Sequence, residues 1–84
     1  MNLDNVFHFG MGQQVKVQVM GVVVYGTVMR RELIQYLEGV LELSYVVKYP
    51  YGDSYSTVNP DEEFLIYVQR LKVGIQNDQL SKQT

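Results

Sequence analysis

Four of the seven tyrosines, Tyr25, Tyr49, Tyr51 and Tyr55, are the residues most suited to holding a ligand. Each ring face attracts a cation, worth about 0.5–2 kcal/mol according to how dry the contact is, so the four form a candidate aromatic cage for a methylated cation. The plainer alternative places Tyr45 and Tyr49 on an inward strand face, with Tyr51 and Tyr55 rimming a hairpin. Three walls would then remain. A second constellation is basic. Lys16, Arg30, Arg31 and Lys48, with Arg70 and Lys72, could contact phosphates in a salt-dependent way, and tyrosines between them could stack on exposed bases. Seven basic residues against nine acidic ones, a net charge of −2, argue against a dedicated nucleic-acid binder.

Catalytic groupings are scarce. Asp53, Asp61, Glu62 and Glu63 could supply an acid/base pair or grip a hard cation, but they lack calcium-loop spacing and have no Ser-His or Cys-His partner. Turn and helix-start chemistry accounts for them. The chain has no Cys and a single histidine, His8, without His-x-x-x-His spacing, so neither a disulfide framework nor a zinc site is expected. The expectation is a protein that is not an enzyme and carries no cofactor or metal.

The most unusual feature is an apolar surplus. Leu33, Ile34, Tyr36, Leu37 and Val40 crowd a segment between two strands, and Val22, Val23 and Val46 fall on nominally outward strand positions. Apolar residues on both faces require another covering layer. That layer is either the terminus at Val6-Phe7-His8-Phe9 or another chain, so partner binding by a second protein or by the chain's own copy, as a homodimer, is expected.

These residues must be positioned by strands. Val15, Val17 and Val19 alternate with Gln14, Lys16 and Gln18 in strict period two. A reversal at Met20-Gly21 leads into VVVYGTVMRR, where Gly26 suggests a bend or bulge. In LELSYVVKY, Leu41, Leu43, Tyr45, Val47 and Tyr49 share one face. The intervening ELIQYLEGVLEL also fits helical spacing, but Gly39 would cost a helix about 1 kcal/mol relative to Ala and suits a hairpin tip, so a long hairpin is favoured over a helix across residues 31 to 43. PYGDS reads as a turn, YSTV as a short strand, Asn59 to Glu63 as one 3₁₀ turn, and FLIYVQRLKV as the last strand.

The pieces VYGTV, YVVKY, YGDSYSTV and DEEFL occur in an order that resembles the Tudor and KOW branch of SH3-like barrels, across residues 10 to 71. The resemblance implies an all-β, five-stranded SH3-like barrel with a long hairpin between its second and third strands, and it implies the cage positions named above. The insertion RRELIQYLEGVLE departs from the compact connection of Tudor domains, and Tyr55 adds a residue to the Tyr-Gly pattern. In size and pattern the chain is also similar to small SH3-like proteins of phages and prophages. The expected organisation is an N-terminal segment at 1–9, a barrel at 10–72 and a polar tail at 73–84. The longest apolar stretch, VMGVVVYG, is too short to span a bilayer, and a cytoplasmic location without membrane contact is expected.

Overall fold

The computed structural model describes residues 5–74. Four antiparallel strands lie in sequence order in one open sheet: β1 (Gln14–Val19), β2 (Val22–Gln35), β3 (Leu41–Tyr51) and β4 (Ser54–Val58). A short helix, α1 (Glu62–Val68), follows them. The first reversal uses positive φ at Met20 (53°) and Gly21 (81°), the pair of values whose twist matches that of the flanking strands. The long hairpin forms as expected. Tyr36 N–H reaches Val40 C=O at 3.0 Å, and Gly39 closes the tip with φ of 90°.

Two local expectations are corrected. Gly26 is neither bulge nor bend: a Cβ there would lie 2.6 Å from Val47 Cγ1 and 2.8 Å from Lys48 O, so the absent side chain serves close approach of β2 to β3. The register slip lies between Val28 and Arg30 instead, with Met29 as the extra residue.

The larger correction concerns the chain after β4. The segment expected to be a fifth strand, FLIYVQRLKV, begins as α1 and ends in turns, so the described residues form four strands and no closed barrel. Asp61 is extended (ψ 169°) and its carboxylate accepts Phe64 N–H at 2.8 Å, an N-cap reinforced by Glu62 and Glu63 in the first turn. The helical start was legible, but it propagates because Leu65 and Val68, three apart, both reach zero exposure on one helical face. Burial outweighs the β-propensity of Phe, Ile, Tyr and Val here.

Helix α1 also does what the missing strand would do for the free edge of β1. Gln69 Oε1 accepts Lys16 N–H at 2.9 Å while its Nε2 donates to Lys16 C=O at 2.8 Å, so one side-chain amide pairs with β1 as a strand residue would. The core gathers Val15, Val17, Val28, Tyr45, Val47, Tyr49 and Leu65 with Phe7 and Phe9 from the N-terminal segment. Both phenylalanines meet Tyr45 edge-on, at 5.7 and 5.4 Å between centroids, which supplies part of the covering layer from within the chain. The tail expected at 73–84 lies outside the described residues from position 75 onward, as do residues 1 to 4.

Candidate functional site

The arm is the outer half of the β2–β3 hairpin. Beyond the bulge, Leu33 pairs with Leu43 and Gln35 with Leu41 on one face, while Ile34 pairs with Glu42 and Glu32 with Ser44 on the other. Its base is tied down. Glu32 Oε1 accepts Ser44 Oγ–H at 3.0 Å and Asn59 Nδ2–H at 3.2 Å, and these donors, with Arg30 at 3.0 Å, hold its carboxyl below the usual carboxylate range. Near the tip, Tyr36 donates its hydroxyl to Glu42 at 2.6 Å, which raises the phenol's pKa because the neutral form is the donor.

This bracing leaves the apolar side chains out. Leu37 is fully exposed, and Leu33, Ile34, Tyr36, Val40 and Leu41 are all exposed as well. The five expected partner-binding residues therefore lie together on one protruding element, joined by Leu41, which sequence reasoning had assigned to the inward face. The alternation was right, but β3 outruns the core at that end: Leu43 is partly buried and Leu41 is beyond reach.

The four cage tyrosines do not converge. Tyr49 is 7% exposed and belongs to the core, where its ring meets Tyr51 edge-on at 6.3 Å. Tyr25 and Tyr55 share a shallow depression with Gln14, Gly26, Thr27, Lys48 and Pro50, without Tyr49 or Tyr51. Lys48 Nζ sits 4.4 Å from the Tyr55 ring centroid, so a cation from the chain itself already occupies that ring face.

The four basic residues singled out by the sequence have partners within the chain. Lys16 Nζ donates to Gln69 O at 3.0 Å and Leu71 O at 2.8 Å, carbonyls of the C-cap and of the turn that follows α1. Arg31 donates to Phe9 O at 3.2 Å and lies 4.8 Å over the Phe7 ring, while its neighbour Arg30 pairs with Glu32. Arg30 and Arg31 are consecutive strand residues and point to opposite faces.

Sequence reasoning missed one polar centre. Tyr45, wholly buried as a side chain, receives His8 N–H at 3.0 Å and Phe9 N–H at 3.3 Å on its hydroxyl and donates to Glu62, which also accepts His8 N–H at 2.8 Å. Burial and the Glu62 hydrogen bond push the Tyr45 phenol up to about 12. The group ties N-terminal segment, β3 and α1 together. Asp61 caps α1 and Glu62 braces Tyr45, so two of the four carboxylates singled out by the sequence have structural tasks. Among the described residues no cluster of three or more metal-ligating side chains exists, and no helix is long and apolar enough to cross a membrane. In comparisons with known proteins, no family model matches the chain, and neither a curated protein nor a solved structure is similar to it.

Proposed function

We propose that the chain is a small non-catalytic interaction module that binds protein through the hairpin arm. The observation that carries it is Leu37, fully exposed at the tip of an arm on which Leu33, Ile34, Tyr36, Val40 and Leu41 are exposed too. Braces from Ser44, Asn59 and Arg30 to Glu32, and from Tyr36 to Glu42, favour a preformed surface, which lowers the ordering cost of binding. The scaffold reads as an opened form of the SH3-like plan of Tudor and KOW domains. Consecutive antiparallel strands and a capped helical turn after β4 follow that order, with α1 standing where that plan has its last strand.

The test uses the full chain as bait in cross-linked cells, beside Leu37→Asp/Val40→Asp and Tyr55→Ala baits. Both arm positions are exposed, so the double variant keeps its melting temperature. The expected result is loss of the cross-linked set with the arm variant and its retention with Tyr55→Ala. An unchanged set with the arm variant refutes the proposal.

A further inference from the structure

Close to the core, outward backbone groups of β1, β2 and β3 are met by neighbouring segments. Outward groups of Lys16 on β1 are taken by Gln69. On β2, Val28 N–H donates to Gln13 O and Val28 O accepts Gly12 N–H, at 3.0 and 2.8 Å. On β3, Tyr45 N–H donates to Pro60 O at 3.0 Å, beside an isolated bridge from Ser44 to Asp61. Beyond these points the outer edges of the hairpin continue to Gln35 on one side and from Leu41 on the other.

Antiparallel pairing fixes which backbone groups face outward there. Tyr36 bonds Val40 across the hairpin and Tyr45 N–H points away from β2, so the bonded pairs are those of Glu32 and Ile34, and Leu33 and Gln35 turn their N–H and C=O to the outside of β2. Such groups are a template for another strand.

Resting on the proposal that the arm is the binding element, we infer that its partner is a second copy of this chain, added edge to edge along β2 in antiparallel register with Leu33 opposite Leu33. A two-fold interface must be self-complementary, and this register is. It pairs outward groups with outward groups. It sets Arg30 opposite the second copy's Tyr36 and Glu32 opposite its Ile34, with no like charges facing. Centring on Arg31 or Glu32 opposes like charges directly, and Glu32 also has the wrong hydrogen-bond phase. The charges that would protect the edge are engaged within the chain, Arg30 with Glu32 and Arg31 with Phe9 O and the Phe7 ring. Leu33 and Leu43 of the two copies would then line one continuous apolar strip, and Leu37 would arrive near the exposed Met29.

The chain has no cysteine, so single-cysteine variants report the register directly. Opposed residues of an antiparallel pair lie about 5.5 Å apart at Cα, within disulfide range, whereas a two-residue offset from the two-fold puts Gln35 roughly 13 Å from its own copy. The expected result is a dimer by sedimentation at 100 micromolar or below, on the order of tenfold faster oxidative self-linking of Leu33→Cys than of Gln35→Cys, and a monomer for Leu33→Pro, which removes an outward N–H and no hydrogen bond of the hairpin itself. Leu33→Asp serves as the second disrupting variant if Leu33→Pro does not fold. A strict monomer, or equal linking of the two cysteine variants, overturns the inference. A strict monomer whose cross-linked set in cells still depends on Leu37 and Val40 overturns the second copy alone and leaves the arm as the binding element.

Discussion

Replacing Tyr45 by Phe removes one oxygen from a ring that is otherwise kept in place, and the structure sets the size of the loss. Phe9 N–H, donating at 3.3 Å within the core, is left without an acceptor, a cost of about 1–3 kcal/mol. His8 N–H loses the phenol but keeps Glu62, so its share is small. Glu62 loses a donor and can recover water, a loss of about 0.5–1.5 kcal/mol. Together these give about 1.5–4.5 kcal/mol, against a total of about 5–15 kcal/mol for a domain of this kind. At about 4–8 °C per kcal/mol, the melting temperature falls by roughly 6–36 °C. Urea unfolding followed by far-ultraviolet circular dichroism and tyrosine emission measures it, since the chain has no Trp to obscure the signal. Tyr49→Phe is the control: its ring is equally part of the core, but its hydroxyl makes no hydrogen bond among the described residues, so its loss stays under about 0.5 kcal/mol. If the two variants are equally stable, Tyr45 does not tie the N-terminal segment to α1.

The same phenol makes stability fall in strong alkali. Its pKa is about 12 folded against 10.0 as the ordinary value, so its contribution is complete below pH 10 and is lost as pH rises through 12, where the unfolded chain has released a proton that the folded one keeps. Thermal melts between pH 9.5 and 11.5 should fall more steeply for the wild type than for Tyr45→Phe, and parallel slopes would refute the assignment. Gln69→Ala removes three hydrogen bonds, two to Lys16 and one to Leu65 O at 2.8 Å. Water replaces part of them at a partly buried site, leaving an expected loss of about 1–2 kcal/mol. Faster exchange of the Lys16 amide while Val17 stays protected is the signature, and an unchanged Lys16 amide would show that the edge is not held by Gln69.

Much of the sheet was legible because its signals are short-range. Val15, Val17 and Val19 alternate, Met20 and Gly21 turn the chain, and Gly39 marks a hairpin tip, each within a few residues. What could not be read depends on contacts far apart in sequence. Phe64 to Val68 are strand-prone by type, and only the pocket that receives Leu65 and Val68 makes them helical. Gln69, a polar residue in an apparent strand, gave no sign that its amide would close the edge of β1, 53 residues away. Where the cage tyrosines and the basic residues would lie could not be read for a related reason. Residue type made Lys48 and Tyr55 candidates separately, whereas the fold spends them on each other. The exposure of the arm was legible because an excess of apolar residues is a property of composition: there were more of them between residues 33 and 40 than a core of this size could cover.

The open sheet and the exposed arm are two sides of one structural choice. A fifth strand on β1 would move towards closing the sheet, and closure is what removes edges outright. Here α1 replaces that strand, so edges are guarded piecemeal: β1 by a side-chain amide, β2 by the Gly12–Gln13 segment, β3 by Pro60 and Asp61. Each guard comes from a neighbouring segment and reaches only as far as that segment extends. The hairpin runs past all three. Shortening it to end near Ser44 would have removed the uncovered stretch of β2 and β3 and cost none of the buried core, because Phe7, Phe9, Val28, Tyr45 and Val47 all lie on the near side of that point. Residues 33 to 43 therefore add little to the packing that holds the domain together, and their unpaired edge and apolar tip are better explained by a contact outside the chain than by any within it.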